Sequence, residues 1–325
     1  GTHDRESAAH SIVLSHDQIS HNRAKKGNFM TRTTLQATAA FFDNNPLTRV
    51  LRWTLTVFER VWPKLAVHTS TRLFLTPLPP RWLQRRRQWD HLWRVDSWPF
   101  EDASLTVYAE HAAPHAPSVL LVHGWGGHAG QMLPLARALR AQGLRPVLVE
   151  LPAHGRSDGN VSTLPQFARA VDYVAARLRQ DGHHLRAVVA HSLGANASAY
   201  AASRGLGADR LVLIAPPASP REYTRLFAQV FGLSEATRAA MQRRLEAREG
   251  ILMPLFEPAA VGPRIDLPVL VVHDTGDTIN RFADGQAYQQ AIAGARLLQT
   301  SGLGHRKILK DEAVLQEVAD FLVSD

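Results

Sequence analysis

A serine, a histidine and a carboxylate, far apart in the chain, could together carry out nucleophilic acyl-transfer chemistry: Ser192, His305, and either Asp274 or Asp277. A serine hydroxyl is a weak nucleophile until a base takes its proton, and an imidazole serves best as that base when an acid orients it. Each candidate stands just past an apolar run. The run 187–190 ends at His191-Ser192, and the run 269–272 leads into His273-Asp274-Thr275-Gly276-Asp277. Gly304-His305 precedes the last amphipathic stretch. Around Ser192 the neighbours are small, with Ala190 and Gly194 two positions either side. That is the spacing of a strand turning sharply into a helix with the hydroxyl at its apex, G-x-S-x-G with alanine in place of the first glycine. An ordinary N-cap serine is the competing reading of the same segment.

The elements needed to hold these residues follow from the pattern. From about residue 103 short β-rich runs alternate with helical patterns, which predicts a mostly parallel sheet covered by helices. The expected strands are 105–109, an antiparallel leader, then 119–122, 146–150, 187–190, 211–214, 269–272 and 296–299. Helices are expected near 130–141, 164–179, 193–203, 282–292 and 311–323. The interval 216–264 breaks this rhythm and is far longer than an ordinary connection. It opens on Ser219-Pro220-Arg221-Glu222, which reads as a capping box. Tyr223, Leu226, Phe227, Val230 and Phe231 follow at helical spacing before Gly232, and a second helix is expected over 235–248, closed by Gly250. This insertion reads as a small helical cap, with Tyr223, Phe227, Phe231 and Met241 able to face a substrate or, equally, to pack on the core.

Composition narrows the class. The chain has 325 residues, no cysteine and a formal net charge of +8. Disulfides and thiolate metal sites are therefore excluded. Residues 1–100 hold 15 Lys+Arg against 7 Asp+Glu, whereas residues 101–325 hold 22 of each. The whole excess sits on the N-terminal part, with no recognition helix or aromatic-interleaved basic sheet beside it, so nucleic acid is not an expected partner. No apolar run reaches the ~20 residues that span a bilayer. Residues 1–29 are polar and aperiodic and are set aside as a leader, with Met30 as a candidate start. The cytoplasm is the expected location.

Residues 30–102 read as a basic helical extension. Asn45-Pro46 opens a helix over 46–62, with Asn45 as N-cap and Pro46 at the first turn. Leu47, Val50, Leu51, Phe58, Val61 and Trp62 fall on one side, Arg49, Arg52, Glu59 and Arg60 on the other, and Pro63 is expected to end it. Three uses stay open: packing on the catalytic domain, docking on an anionic membrane surface with help from Arg85-Arg86-Arg87, or binding a partner.

Four motifs, in order, make residues 103–325 resemble the α/β-hydrolase fold superfamily, of the serine esterase and lipase kind. They are Val122-His123-Gly124-Trp125-Gly126-Gly127, Leu151-Pro152-Ala153-His154-Gly155-Arg156-Ser157 (with Pro152 and His154 departing from the family's D-x-x-G-x-G-x-S), the Ser192 turn, and the Asp277/His305 pair. The resemblance implies a core of 103–215 and 265–325, with Ser192 as nucleophile, His305 as base and Asp277 as acid. Asp277 is preferred to Asp274 because the family's acid lies a few residues past its strand. The backbone N–H groups of Trp125 and Leu193 would form the oxyanion hole. His123, Trp125, His191, Tyr223, Phe227 and Phe231 are candidates for the substrate pocket, while His123, His191 and His154 also read as supporting groups. A small-molecule carboxylic ester with an apolar acyl or alcohol group is the expected substrate. Thioesters, lactones and peracid chemistry use the same three residues, and a non-catalytic binding protein on this fold is the alternative of another class. No metal or nucleotide motif is present, so no cofactor is expected. Oligomeric state is not readable.

Overall fold

In the computed structural model the described residues are 46–324, apart from 80, 85, 86, 112 and 113. The expected leader, the Asn45 cap and two of the three arginines at 85–87 lie outside them. Among the described residues, two helices come first, α1 (Pro46–Val61) and α2 (Pro63–Phe74). Strands β1 (Trp93–Phe100), β2 (Ala103–Glu110) and β3 (Ser118–Val122) follow. Then come α3 (Leu133–Ala141), β4 (Arg145–Glu150), α4 (Leu164–Gln180), β5 (Leu185–His191), α5 (Leu193–Ala202) and β6 (Arg210–Ile214). The insertion carries α6 (Pro220–Phe231) and α7 (Glu235–Glu249). Last are β7 (Val269–Asp274), α8 (Phe282–Ala291), β8 (Arg296–Thr300) and α9 (Glu312–Val323).

The eight strands form one sheet in the order β1-β2-β4-β3-β5-β6-β7-β8. β2 pairs antiparallel with β1 and β4, and every pair from β4 to β8 is parallel. The inner strands read as unbroken apolar runs because both faces are covered. Leu120, Val122, Val188, Ala190, Leu213 and Val271 point to one core with α4, α5 and α8. Val119, Leu121, Val189, Ile214, Leu270 and Val272 point to the other, with α3 and α9. The period of two that separates these sets is the pleat itself.

Two expectations about the early chain and the insertion need correction. β1 lies inside the stretch expected to be helical. Its alternating buried and exposed residues, with charges and Pro99, suit an antiparallel edge strand, where a missing N–H costs no ladder bond. The helix opened at Pro46 does end ahead of Pro63, at Val61, as expected. Pro63 then opens α2 at the first helical position, where its lost N–H was unsatisfied anyway, and Trp62 is the N-cap. The capping box at Ser219 does not form, since its hydroxyl donates to Glu257 Oε1 at 2.7 Å instead. With Arg221 also on Glu257, that bond ties the two ends of the insertion together. No described helix is long and apolar enough to cross a membrane.

Candidate active site

β5 ends at His191, and the chain turns into α5 through Ser192 at φ 55°, ψ −126°. A non-glycine residue there is strained, and it persists because its surroundings over-determine it. Ser192 N–H donates to Ile214 O on the neighbouring strand at 2.9 Å. Gly194 has no room for a side chain, since a Cβ would stand 2.2 Å from His123 O. A Cβ at Gly124 would meet Ser192 Cβ at 2.8 Å. The small residues around the serine thus let two strand-end turns approach backbone to backbone.

His305 sits in a short helical turn (Gly304–Lys307) after β8. Its Nε2 lies 3.0 Å from Ser192 Oγ and its Nδ1 lies 2.7 Å from Asp277 Oδ2. A proton on Nδ1 bound to the carboxylate leaves Nε2 as the acceptor facing the serine. Asp277 Oδ1 accepts from the backbone N–H groups of Ile279 and Asn280 at 2.8 and 2.9 Å. Burial works against ionising Asp277, but hydrogen bonds from His273 and His305 outweigh it and hold the carboxyl far below its ordinary range. Asp274 has a different post. It accepts from Thr300 Oγ1, Leu303 N–H and Gly276 N–H, and so pins the loop that carries His305.

The amides of Trp125 and Leu193 donate to no protein acceptor among the described residues, which leaves both free to receive negative charge. The turn that presents Trp125 is held from behind. Gly126 N–H donates to His154 Nε2 at 2.9 Å, while His154 Nδ1–H donates to Pro152 O at the same distance. Gln84 bridges Gly126 O and Gly155 N–H. Burial drives the pKa of His154 down to about 4, so its Nε2 stays an acceptor at neutral pH. His191, pushed down to about 3 by burial and by neighbouring His305, donates Nε2–H to the His305 carbonyl at 2.8 Å. It therefore steadies the base's backbone without carrying charge.

Two cavities share Trp125 and Tyr223 as lining residues. The first, about 790 Å³ including its open mouth, is lined by Phe74, Trp125, Leu193, Tyr223, Met253 and Phe256 among others. The second contains Ser192 itself with His191, Trp125, Tyr223 and His305, and its far wall carries Arg306, Lys307 and Lys310. Three residues expected at the pocket wall are elsewhere. His123 is completely buried, donating Nδ1–H to Gly124 O and accepting from Leu151 N–H. Tyr223 takes the site-facing position of α6. One turn on, Phe227 has moved past the cavity and packs edge-on against Phe74, with Phe231 tilted against Phe227. Met241, also considered for an inward role, is fully buried.

Two residues, Asn280 and Phe74, were not expected at the site. Asn280 Nδ2–H reaches Ser192 Oγ at 3.2 Å and Ala215 O at 2.8 Å, and its Oδ1 accepts from Tyr223 Oη at 2.5 Å. The available signal was its position three residues beyond the acid, on the same turn. His273 supports the turn from beneath, donating Nε2–H to Asn280 O at 3.1 Å. Phe74 gave no local signal, because it reaches the cavity from a helix more than 100 residues before the serine.

Residues 113–253 match a family model described as serine aminopeptidase, S33, and residues 254–325 match one described as TAP-like protein. Among solved structures, Est1E from Butyrivibrio proteoclasticus, also seen with bound ferulic acid, is 18% identical with a TM-score of 0.54, over 70% of this chain and 96% of that one. The esterase Pf2001 from Pyrococcus furiosus is 17% identical with a TM-score of 0.55, over 71% and 91%. The thioesterase domain of the curacin biosynthetic pathway is 18% identical with a TM-score of 0.51, over 71% and 99%. At these identities the likeness is one of fold. No curated protein sequence matches the chain significantly.

Proposed function

We propose that this chain, a hydrolase of the α/β-hydrolase fold superfamily, cleaves carboxylic esters with an apolar acyl group through an acyl-enzyme on Ser192. The observation that carries this reading is the unbroken relay Ser192 Oγ, His305 Nε2, His305 Nδ1, Asp277 Oδ2, with spans of 3.0 and 2.7 Å at its two junctions. His305 takes the serine proton as Oγ bonds to the ester carbonyl carbon. The carbonyl electron pair moves onto oxygen, where the amides of Trp125 and Leu193 receive it. Collapse breaks the ester C–O bond, and His305 returns its proton to the leaving alcohol. Water then repeats the sequence on the acyl-enzyme, releasing the acid and restoring Ser192. Asp277 stays ionised throughout and stabilises the imidazolium. Losing one oxyanion donor typically costs about 3–4 kcal/mol of barrier.

The acyl chain belongs in the apolar cavity, beside Leu193 and Trp125. Its two bordering carboxylates already have partners. Glu249 pairs with Arg169 at 3.1 Å, and Glu246 accepts from Met253 N–H and Gln242 at 3.0 Å. That favours an uncharged acyl group over one bearing an amine. The alcohol side faces Arg306, Lys307 and Lys310, with no carboxylate among the residues lining that cavity. This favours leaving groups that carry an anion, thiols as well as alcohols, and keeps a thioester substrate as the second reading. The insertion acts as a cap, with Tyr223 and Met253 closing over the acyl side.

The test is a series of 4-nitrophenyl esters of increasing acyl length. Each methylene buried in the cavity contributes about 0.8 kcal/mol, so kcat/KM should rise roughly fourfold per carbon until the cavity fills. Ser192→Ala should remove turnover across the series. Turnover retained by that variant, or no dependence on chain length, would overturn the assignment.

A further inference from the structure

The apolar stripe of α1 does not face the protein. On its packed side lie Thr48 and Leu55, both buried, with Arg52 set against Gly232 and Glu59 accepting from the N–H and hydroxyl of Ser234 at 2.9 and 2.8 Å. Most of the large hydrophobic residues point outward instead, with Leu51 and Phe58 half-buried between the two sides. Val50 is 60% exposed, Trp53 70%, Val61 56% and Trp62 56%, and Leu65 at the start of α2 continues the patch. A helix held only by burial of its own apolar face would sit the other way round. Its polar side is fastened to the insertion, and that leaves the stripe presented.

The exposed charges of α1 and α2 have one sign. Arg49, Arg60, Lys64 and Arg72 are exposed on α1 and α2. Glu59, the one carboxylate in the two helices, is turned inward to cap α7. Apolar residues with two tryptophans, flanked by exposed cations and by no exposed anion of the same two helices, match the boundary between the headgroups and acyl chains of an anionic leaflet. We propose that α1 and the first turn of α2 dock this protein on the surface of an anionic lipid bilayer. The pair lies in the membrane plane and does not cross it. α2 ends in Phe74, which lines the apolar cavity, so the docked helices and the acyl side of the site are joined by a single helix.

The proposal stands without the ester reading and is tested without turnover, by flotation of the full-length protein with phosphatidylcholine vesicles that contain or lack phosphatidylserine. Binding should require the anionic lipid, weaken at high salt and shift tryptophan emission to the blue. Val50→Ser/Trp53→Ser should abolish flotation while leaving Tm unchanged, because neither side chain is packed. Arg49→Gln/Arg60→Gln/Lys64→Gln should weaken binding about fivefold per charge removed. Absent binding, or equal binding to neutral vesicles, would overturn the proposal. So would a serine pair that lowers Tm, showing that residues 1–45 cover the stripe. A dimer that the serine pair dissociates, with no flotation of the parent protein, would assign the stripe to a second copy and equally overturn it.

Discussion

Replacing Asn280 by alanine tests how the serine is held. Asn280 is buried, and its amide donates to Ala215 O at 2.8 Å and Ser192 Oγ at 3.2 Å while accepting the Tyr223 hydroxyl at 2.5 Å. Removing it strands two buried polar groups, the Ala215 carbonyl and the Tyr223 hydroxyl. Each such group costs about 1–3 kcal/mol, so Asn280→Ala should lose about 2–6 kcal/mol in urea denaturation. Part of that loss is recoverable, because Tyr223→Phe removes the stranded hydroxyl. The double variant should be more stable than the sum of the single effects by about 1–2 kcal/mol. The contact with Ser192 should appear in kcat, as a drop of about tenfold or more (~1.4 kcal/mol), with KM moving much less. Asn280→Asp keeps an acceptor for Tyr223 but loses the donor. It should therefore retain the coupling to position 223 while still losing kcat. Additive stabilities together with an unchanged kcat would refute the assignment of Asn280 as a positioning residue.

Other outcomes follow from the same geometry. Gly194→Ala must move either the turn or His123 O, since its Cβ would lie 2.2 Å from that oxygen. It should lower Tm and reduce kcat by disturbing the Leu193 amide, and a variant with unchanged melting and rate would contradict the close approach. His154 and His191 have an ordinary value of 6.5 and are driven by burial to about 4 and about 3 in the folded protein. Below pH 6.5 the unfolded chain binds protons that the native state does not, so native stability is complete above that pH and falls on acidification. Between pH 6.5 and 4.5 each histidine should account for about 2 kcal/mol of loss, readable by urea denaturation at the two pH values. A flat profile would show that these rings are not held neutral. Esters with an anionic leaving group should outrun neutral isosteres through KM, and the advantage should shrink with salt. Arg306→Gln/Lys307→Gln/Lys310→Gln should erase it, and an equal preference in that triple variant would place the selectivity elsewhere.

What could be read from the chain alone was whatever depends on local pattern. Buried parallel strands announce themselves as apolar runs, and the ends of those runs located Ser192, the 274–277 turn and His305 before any contact was known. Residues whose role depends on tertiary contact were harder to find. Asn280 looks like any loop amide until the turn after β7 brings it beneath the serine. Phe227 and Phe231 had the right spacing to face a site, but spacing cannot say which of two neighbouring surfaces a stripe meets, and Phe74 met them first. β1 was hidden because an edge strand with one solvated side carries charges and a proline that a central strand could not. In α1 the pattern located the apolar face correctly, but it could not show that Arg52 and Glu59 would take the packed side.

The central claim is that Ser192 carries the acyl group, and mass spectrometry of the enzyme quenched in acid during turnover of 4-nitrophenyl butyrate tests it most directly. The account predicts a butyryl adduct on the peptide containing Ser192, absent from Ser192→Ala. An adduct on another residue, or ester turnover that persists in Ser192→Ala, would contradict it.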